Sequence, residues 1–125
     1  METTAKSLIS IIFLTMLITG SYATCPLASL LVVTKETGAI VGGKKLFKVT
    51  IYNKCTCPQS QIVLNCRGFT STYPIDRSIL IKQGDNCLLF NGHALVGNDA
   101  NQFAYAWDAP FNLYPVSAVT GSPCK

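Results

Sequence analysis

Apolar and more polar residues alternate without a break from Phe47 to Tyr52. Phe47, Val49 and Ile51 fall on one side; Lys48, Thr50, Tyr52 and Lys54 fall on the other. A period of two carried by β-branched and aromatic residues predicts a half-buried strand. If the extended geometry continues, Cys55 joins the apolar side. After a polar corner, Pro58-Gln59-Ser60-Gln61, the residues Ile62, Leu64 and Cys66 share a face in the same way. Two strands thus carry thiols inward. Further strands are expected at 30–34, 78–81, 87–90, 93–96, 102–107 and 113–119. Phe103, Tyr105 and Trp107 share one face of their strand, a spacing that points to core. Asn91-Gly92 stands between two apolar runs and predicts a hairpin between 87–90 and 93–96, because both central residues of that turn take positive φ. Pro115 interrupts the last strand, which suits a sheet edge or a bulge. Gly38, Gly42-Gly43, Gly84-Asp85-Asn86, Gly97-Asn98-Asp99 and Asp108-Ala109-Pro110 punctuate the chain. About seven short strands, with no helical period, predict an all-β sandwich.

The first 23 residues read differently. Lys6 precedes an apolar run from Leu8 to Ile18, and Ser21-Tyr22-Ala23 supplies the small residues a signal peptidase reads. This predicts a secretory signal peptide over 1–23 and one mature domain over 24–125. The run falls short of the roughly 20 apolar residues that cross a bilayer, and no later segment is long and apolar enough to do so. The mature protein is therefore expected to be secreted, without a membrane span.

All six cysteines, Cys25, Cys55, Cys57, Cys66, Cys87 and Cys124, follow the expected cleavage site. An even count in a short secreted chain implies three disulfides, and the spacing leaves the pairing open. Cys55 and Cys57 point the same way in an extended segment, which suits a mutual bridge poorly. Their spacing also fits zinc poorly, since a structural zinc site spaces its thiols by two to four residues and needs a second pair. No metal or cofactor is expected.

Charge adds a location. From Thr24 to Lys54 there are five lysines, Lys35, Lys44, Lys45, Lys48 and Lys54, against the single acid Glu36. From Cys55 onward Arg67, Arg77, Lys82 and Lys125 balance Asp76, Asp85, Asp99 and Asp108. The excess therefore sits around the central strand. Lysines there blunt strand edges, or form a basic patch that steers an acidic partner. The residues assigned to such a patch are Lys44, Lys45, Lys48, Tyr52 and Lys54. An acidic receptor surface and acidic wall polysaccharide both fit; nucleic acid does not suit a secreted chain with so few arginines. A second reading is a wall carbohydrate-binding module stacking sugars on Tyr52, Tyr73, Tyr105 and Trp107, with Tyr52 the best placed.

Catalysis finds little to stand on. His93 is the one histidine, and acid–base chemistry needs partners within hydrogen-bond reach. No Gly-x-Ser-x-Gly elbow is present. Glu36, Asp76, Asp85, Asp99 and Asp108 are scattered, whereas a glycosidase needs two carboxylates flanking the sugar. The chain is expected not to be an enzyme.

The order of motifs carries a family likeness. Phe47-x-Val49-x-Ile51-x-Asn53-x-Cys55-x-Cys57 is followed by Ile62-x-Leu64-x-Cys66-x-Gly68-Phe69. Then come Asp85-x-Cys87-Leu88, Asn91-Gly92, Leu95, Phe103-x-Tyr105-Ala106, Pro110-Phe111-x-Leu113 and Cys124. This resembles the plant tapetum determinant family of small secreted cysteine-rich proteins over nearly the whole mature chain. The resemblance implies an extracellular ligand in the apoplast that binds the ectodomain of a leucine-rich-repeat receptor kinase in setting cell fate in the anther. The intact mass of the secreted protein is expected to equal residues Thr24 to Lys125 less six hydrogens. Thiols that alkylate without reduction, or a retained leader, contradict that.

Overall fold

The computed structural model describes residues 24–124; the expected signal peptide lies outside the described residues. Among the described residues, seven strands form two antiparallel sheets. β1 (Leu30–Val41), β2 (Lys44–Asn53) and β6 (Ala100–Trp107) make one, in the order β1-β2-β6. β3 (Gln59–Asn65), β4 (Leu80–Gln83), β5 (Asn86–Leu89) and β7 (Tyr114–Thr120) make the other, in the order β4-β5-β3-β7. The expected all-β sandwich is the fold.

The alternation on β2 decides the core. Phe47, Val49, Ile51 and then Asn53 are buried, while Lys48 and Tyr52 face out. Ile62 and Leu64 answer them from β3, Cys87 and Leu89 from β5, and Phe103 and Tyr105 from β6. Tyr105 is fully buried, its ring centroid 5.3 Å from Phe47, 5.2 Å from Phe69 and 5.5 Å from Phe111. Its hydroxyl oxygen accepts the Phe111 N–H at 2.9 Å, so the one polar atom of the cluster is satisfied.

Several expectations shift. The hairpin assigned to Asn91-Gly92 does not form. Phe90, Asn91 and Gly92 do take positive φ, but they make a 3-10 turn, and 93–96 holds no strand. β5 pairs with β4 instead, through the turn at Gly84. Phe90 N–H donates to Ile79 O at 2.7 Å, extending that pairing, and β3 holds the other edge of β5, so no ladder is left for the residues that follow. Gln59, Ser60 and Gln61 of the polar corner before Ile62 already belong to β3. Gln59 is buried, and a bulge at Gln61, with φ of 49°, restores the inward parity of Ile62. β1 runs seven residues past its expected end, through Gly38, with a register shift between Glu36 and Ile40. Gly42 and Gly43, both at positive φ, close the β1–β2 hairpin, and a Cβ at Gly42 would meet the Thr72 side chain at 2.9 Å. β7 is an edge strand, one of the two placements that Pro115 suits.

Where β2 ends, the chain crosses between sheets around two buried amides. Asn53 Nδ2 donates to Cys57 O at 2.9 Å and Leu95 O at 3.0 Å. Its Oδ1 accepts from Cys55 N at 3.1 Å and Gln59 Nε2 at 2.8 Å. Gln59 and Leu95 exchange both backbone bonds. Cys55 thus leaves the strand rather than continuing it. The bridges are Cys25–Cys55, Cys57–Cys124 and Cys66–Cys87. They close loops of 30, 67 and 21 residues, for which the loop-entropy account gives about 3–4 kcal/mol each.

Two outcomes follow. Asn53→Ala leaves the Cys55 N–H and one Gln59 donor bond unmet inside the protein. At about 1–3 kcal/mol for each buried group left unsatisfied, urea unfolding is expected to show a loss of roughly 2–4 kcal/mol; an unchanged midpoint discards the amide hub. Burial holds the Tyr105 phenol above its ordinary pKa, with the Phe111 bond opposing. A raised folded pKa gives stability that is complete below the unfolded value of about 10 and lost as pH rises through the folded one. Wild type is therefore expected to lose stability in that alkaline window, and Tyr105→Phe to lose less over the same range, by thermal unfolding.

Candidate partner-binding face

β2 is the middle strand of its sheet, so its outward residues are flanked on both sides. Register sets the rows. Leu31, Tyr52 and Ala100 lie abreast, then Val33, Thr50 and Gln102, then Lys35, Lys48 and Ala104. No outward position in these three rows carries a carboxylate. Lys35 and Lys48 are cross-strand partners, an arrangement that like charge makes unfavourable. With Val33, Thr50 and Tyr52 they line a hollow of about 130 Å³. Lys54 lies one residue past the strand, and its Nζ sits 5.3 Å from the Tyr52 ring centroid. Tyr52 is 36% exposed and its row neighbour Leu31 is 45% exposed. The face therefore offers two aligned ammonium groups, a third over an aromatic ring, and an apolar flank.

The five residues assigned to the patch from sequence divide. Lys48, Tyr52 and Lys54 come together here. Lys44 does not join them: its Nζ donates to Asp108 Oδ1 at 2.7 Å and lies 4.9 Å from the Trp107 ring centroid. Lys45 reaches Glu36 at 3.9 Å. Lys35 takes their place, a residue counted from sequence only in the charge excess. Counted regularly from the Gly42-Gly43 turn, Lys35 would face Thr50; the bulge between Glu36 and Ile40 moves the register by two residues and sets it opposite Lys48. Gly38, at φ of 88°, is the one sequence signal of that bulge.

The other candidate groups are dispersed. Of the four aromatics considered for sugar stacking, Tyr105 is fully buried, Trp107 is half-buried beside Lys44, and Tyr52 and Tyr73 are open. His93 is exposed, and its Nδ1 lies 2.9 Å from Phe90 O. Asp76 Oδ1 accepts the Ser78 N–H at 2.8 Å, and the backbone and side-chain bonds from Ser78 hold that carboxyl below its usual value. Asp99 Oδ1 accepts the Ala100 N–H. The sulfurs of Cys25, Cys55 and Cys57 lie within 4.8 Å of one another, but each is spent in a disulfide and offers no thiolate to a metal.

Comparison with known proteins returns one family. The family model described as Tapetum determinant 1, C-terminal, matches residues 27–121. That span takes in all seven strands and the cysteines at 55, 57, 66 and 87, with Cys25 and Cys124 just outside it. No curated protein and no solved structure matches the chain. The β2 alternation, the crossing at Cys55 and Cys57, and the Cys66–Cys87 bridge all fall within the matched residues, and the chain belongs to the tapetum determinant 1 family.

Proposed function

We propose that this is a secreted plant signalling protein that binds the ectodomain of a leucine-rich-repeat receptor kinase in reproductive development, and that it acts by binding and not by catalysis. The observation that carries this reading is the Lys35–Lys48 pair, two like charges set face to face with no carboxylate in their row. An acidic surface laid on this face relieves that repulsion, and Tyr52 beside it supplies an aromatic anchor of the kind that dominates protein interfaces. Family membership supports the role in reproductive development. The three disulfides suit an oxidising compartment and stiffen the domain, which lowers the ordering cost of binding.

Surface binding against a panel of such ectodomains at two salt concentrations tests the reading. Lys35→Glu with Lys48→Glu is expected to slow association about ten-fold or more and to flatten its salt dependence, because steering acts on the on-rate. Tyr52→Ala is expected chiefly to speed dissociation. Saturable binding to none of the panel rejects the receptor reading; binding indifferent to the lysines rejects this face. The single change Lys48→Glu also sets opposite charges across β1 and β2, which contributes roughly 0.2–1 kcal/mol in antiparallel sheets. It is expected to raise the thermal midpoint while lowering binding, an outcome that general damage to the fold does not produce.

A further inference from the structure

β6 is the outer strand of its sheet. In an antiparallel ladder, alternate residues turn both backbone polar groups away from the partner strand. Ala106 identifies which residues these are. The Thr72 N–H donates to Ala106 O at 3.0 Å, and the Ala106 N–H donates to Ser71 Oγ at 2.9 Å. Ala104, Gln102 and Ala100 share its parity. The Gln102 N–H is taken by Asn101 Oδ1 and the Ala100 N–H by Asp99 Oδ1, each at 2.8 Å. Preceding side chains or the Ser71-Thr72 segment thus take the edge N–H at three positions. Among the described residues the Ala104 N–H has no such acceptor.

Ala104 also opens onto a cleft of about 270 Å³ between β6 and the segment that leads into β4. Its walls include Tyr73, Ile75, Ile79 and Phe103. Ile75 and Ile79 are half-buried and pack on the core, and Tyr73 is 40% exposed. Asp76 also lines the cleft, with its carboxylate committed to Ser78. An unpaired edge group beside an apolar hollow is the requirement for strand addition, where main-chain bonds give affinity and pockets for alternate side chains give specificity.

Charge selects the occupant. Ala104 is the outer member of the row Lys35–Lys48–Ala104. Strands lie about 4.8 Å apart, so a residue added opposite Ala104 on the same face stands two strands from Lys48, across a single methyl. The Lys48 stem and the side chain of an added glutamate together bridge that gap. The residues on either side of the added one turn toward the cleft, because side chains alternate along a strand.

We propose that this cleft receives an extended segment of a partner protein, paired through Ala104, with a carboxylate beside Lys48 and apolar side chains on either side entering the hollow. This rests on the reading of the chain as a protein ligand and names the partner chemistry: apolar, acidic, apolar, in an exposed strand.

The test uses the secreted, disulfide-intact protein labelled with nitrogen-15. The probe is a blocked heptapeptide of alternating leucine and glutamate; its counterpart carries lysine in place of glutamate. Saturating leucine–glutamate peptide is expected to shift the Ala104 amide and its neighbours in the 73–79 segment and to slow Ala104 hydrogen exchange about ten-fold or more. The lysine counterpart is expected to bind at least about ten-fold more weakly. Ala104→Pro removes the edge donor without touching the β2 ladder, a placement sheets tolerate, and is expected to abolish binding with an unchanged melting curve. If that variant melts early, Ile75→Asp, which charges the hollow, is expected to give the same loss. Equal binding of both peptides, shifts confined to another surface, or exchange at Ala104 already slowed by self-association at high protein concentration each overturn the proposal. An ectodomain that binds wild type and Ala104→Pro alike also overturns it, and leaves the receptor reading standing. A peptide that docks while no ectodomain binds supports the cleft and removes the receptor.

Discussion

The sandwich depends on one polar contact, the bond from Gln59 Nε2 to Asn53 Oδ1 inside the protein. These amides sit where the chain leaves one sheet and enters the other, a place where strand hydrogen bonds run out. Between them they also engage Cys55, Cys57 and Leu95. The backbone groups that a crossing exposes are met by side chains, so the crossing is buried without orphaned donors. Because the geometry of both amides is fixed by several partners, the directions in which Cys55 and Cys57 leave are fixed too. That sends the two cysteines to different bridges.

The strands with strict alternation were legible in advance. β2 and β6 announce their inward faces through Phe47, Val49 and Ile51 and through Phe103 and Tyr105, because only one face of each can be buried. Pro115, with its missing donor, pointed to an edge or a bulge, and β7 shows both, an edge place and a register shift beside Pro115. What was not legible depends on partners far along the chain. Asn91-Gly92 has the local chemistry of a hairpin, yet both edges of β5 are taken, one by β4 through the short turn at Gly84 and the other by β3. Gln59 reads as a corner because its amide looks solvent-bound; its burial is decided by Asn53 and Ser29, six and 30 residues away.

The candidate face shows the same division. That lysines crowd β2 is a statement of sequence. Which lysines remain unpaired is a statement of register. Glu36 and Asp108 draw off Lys45 and Lys44, and a bulge around Gly38 brings Lys35 opposite Lys48. Two extra residues in one strand thus convert a diffuse charge excess into an aligned pair, and the parity of the strand is kept because the number is even.

The bridges at Cys25 and Cys124 have a geometric consequence for handling the molecule. Both attach to the short segment around Cys55 and Cys57, so the two ends of the described domain meet at one pole. β2 carries the chain to that pole from the far end, over ten residues, about 33 Å at an extended rise. A tag, a dye or a surface tether fused at either end therefore leaves from the same side, at the end of the basic face nearest Tyr52 and Lys54. Labels of different bulk or length on the two ends would compete for the same space, whereas the pole at the Gly42-Gly43 hairpin stays clear of both.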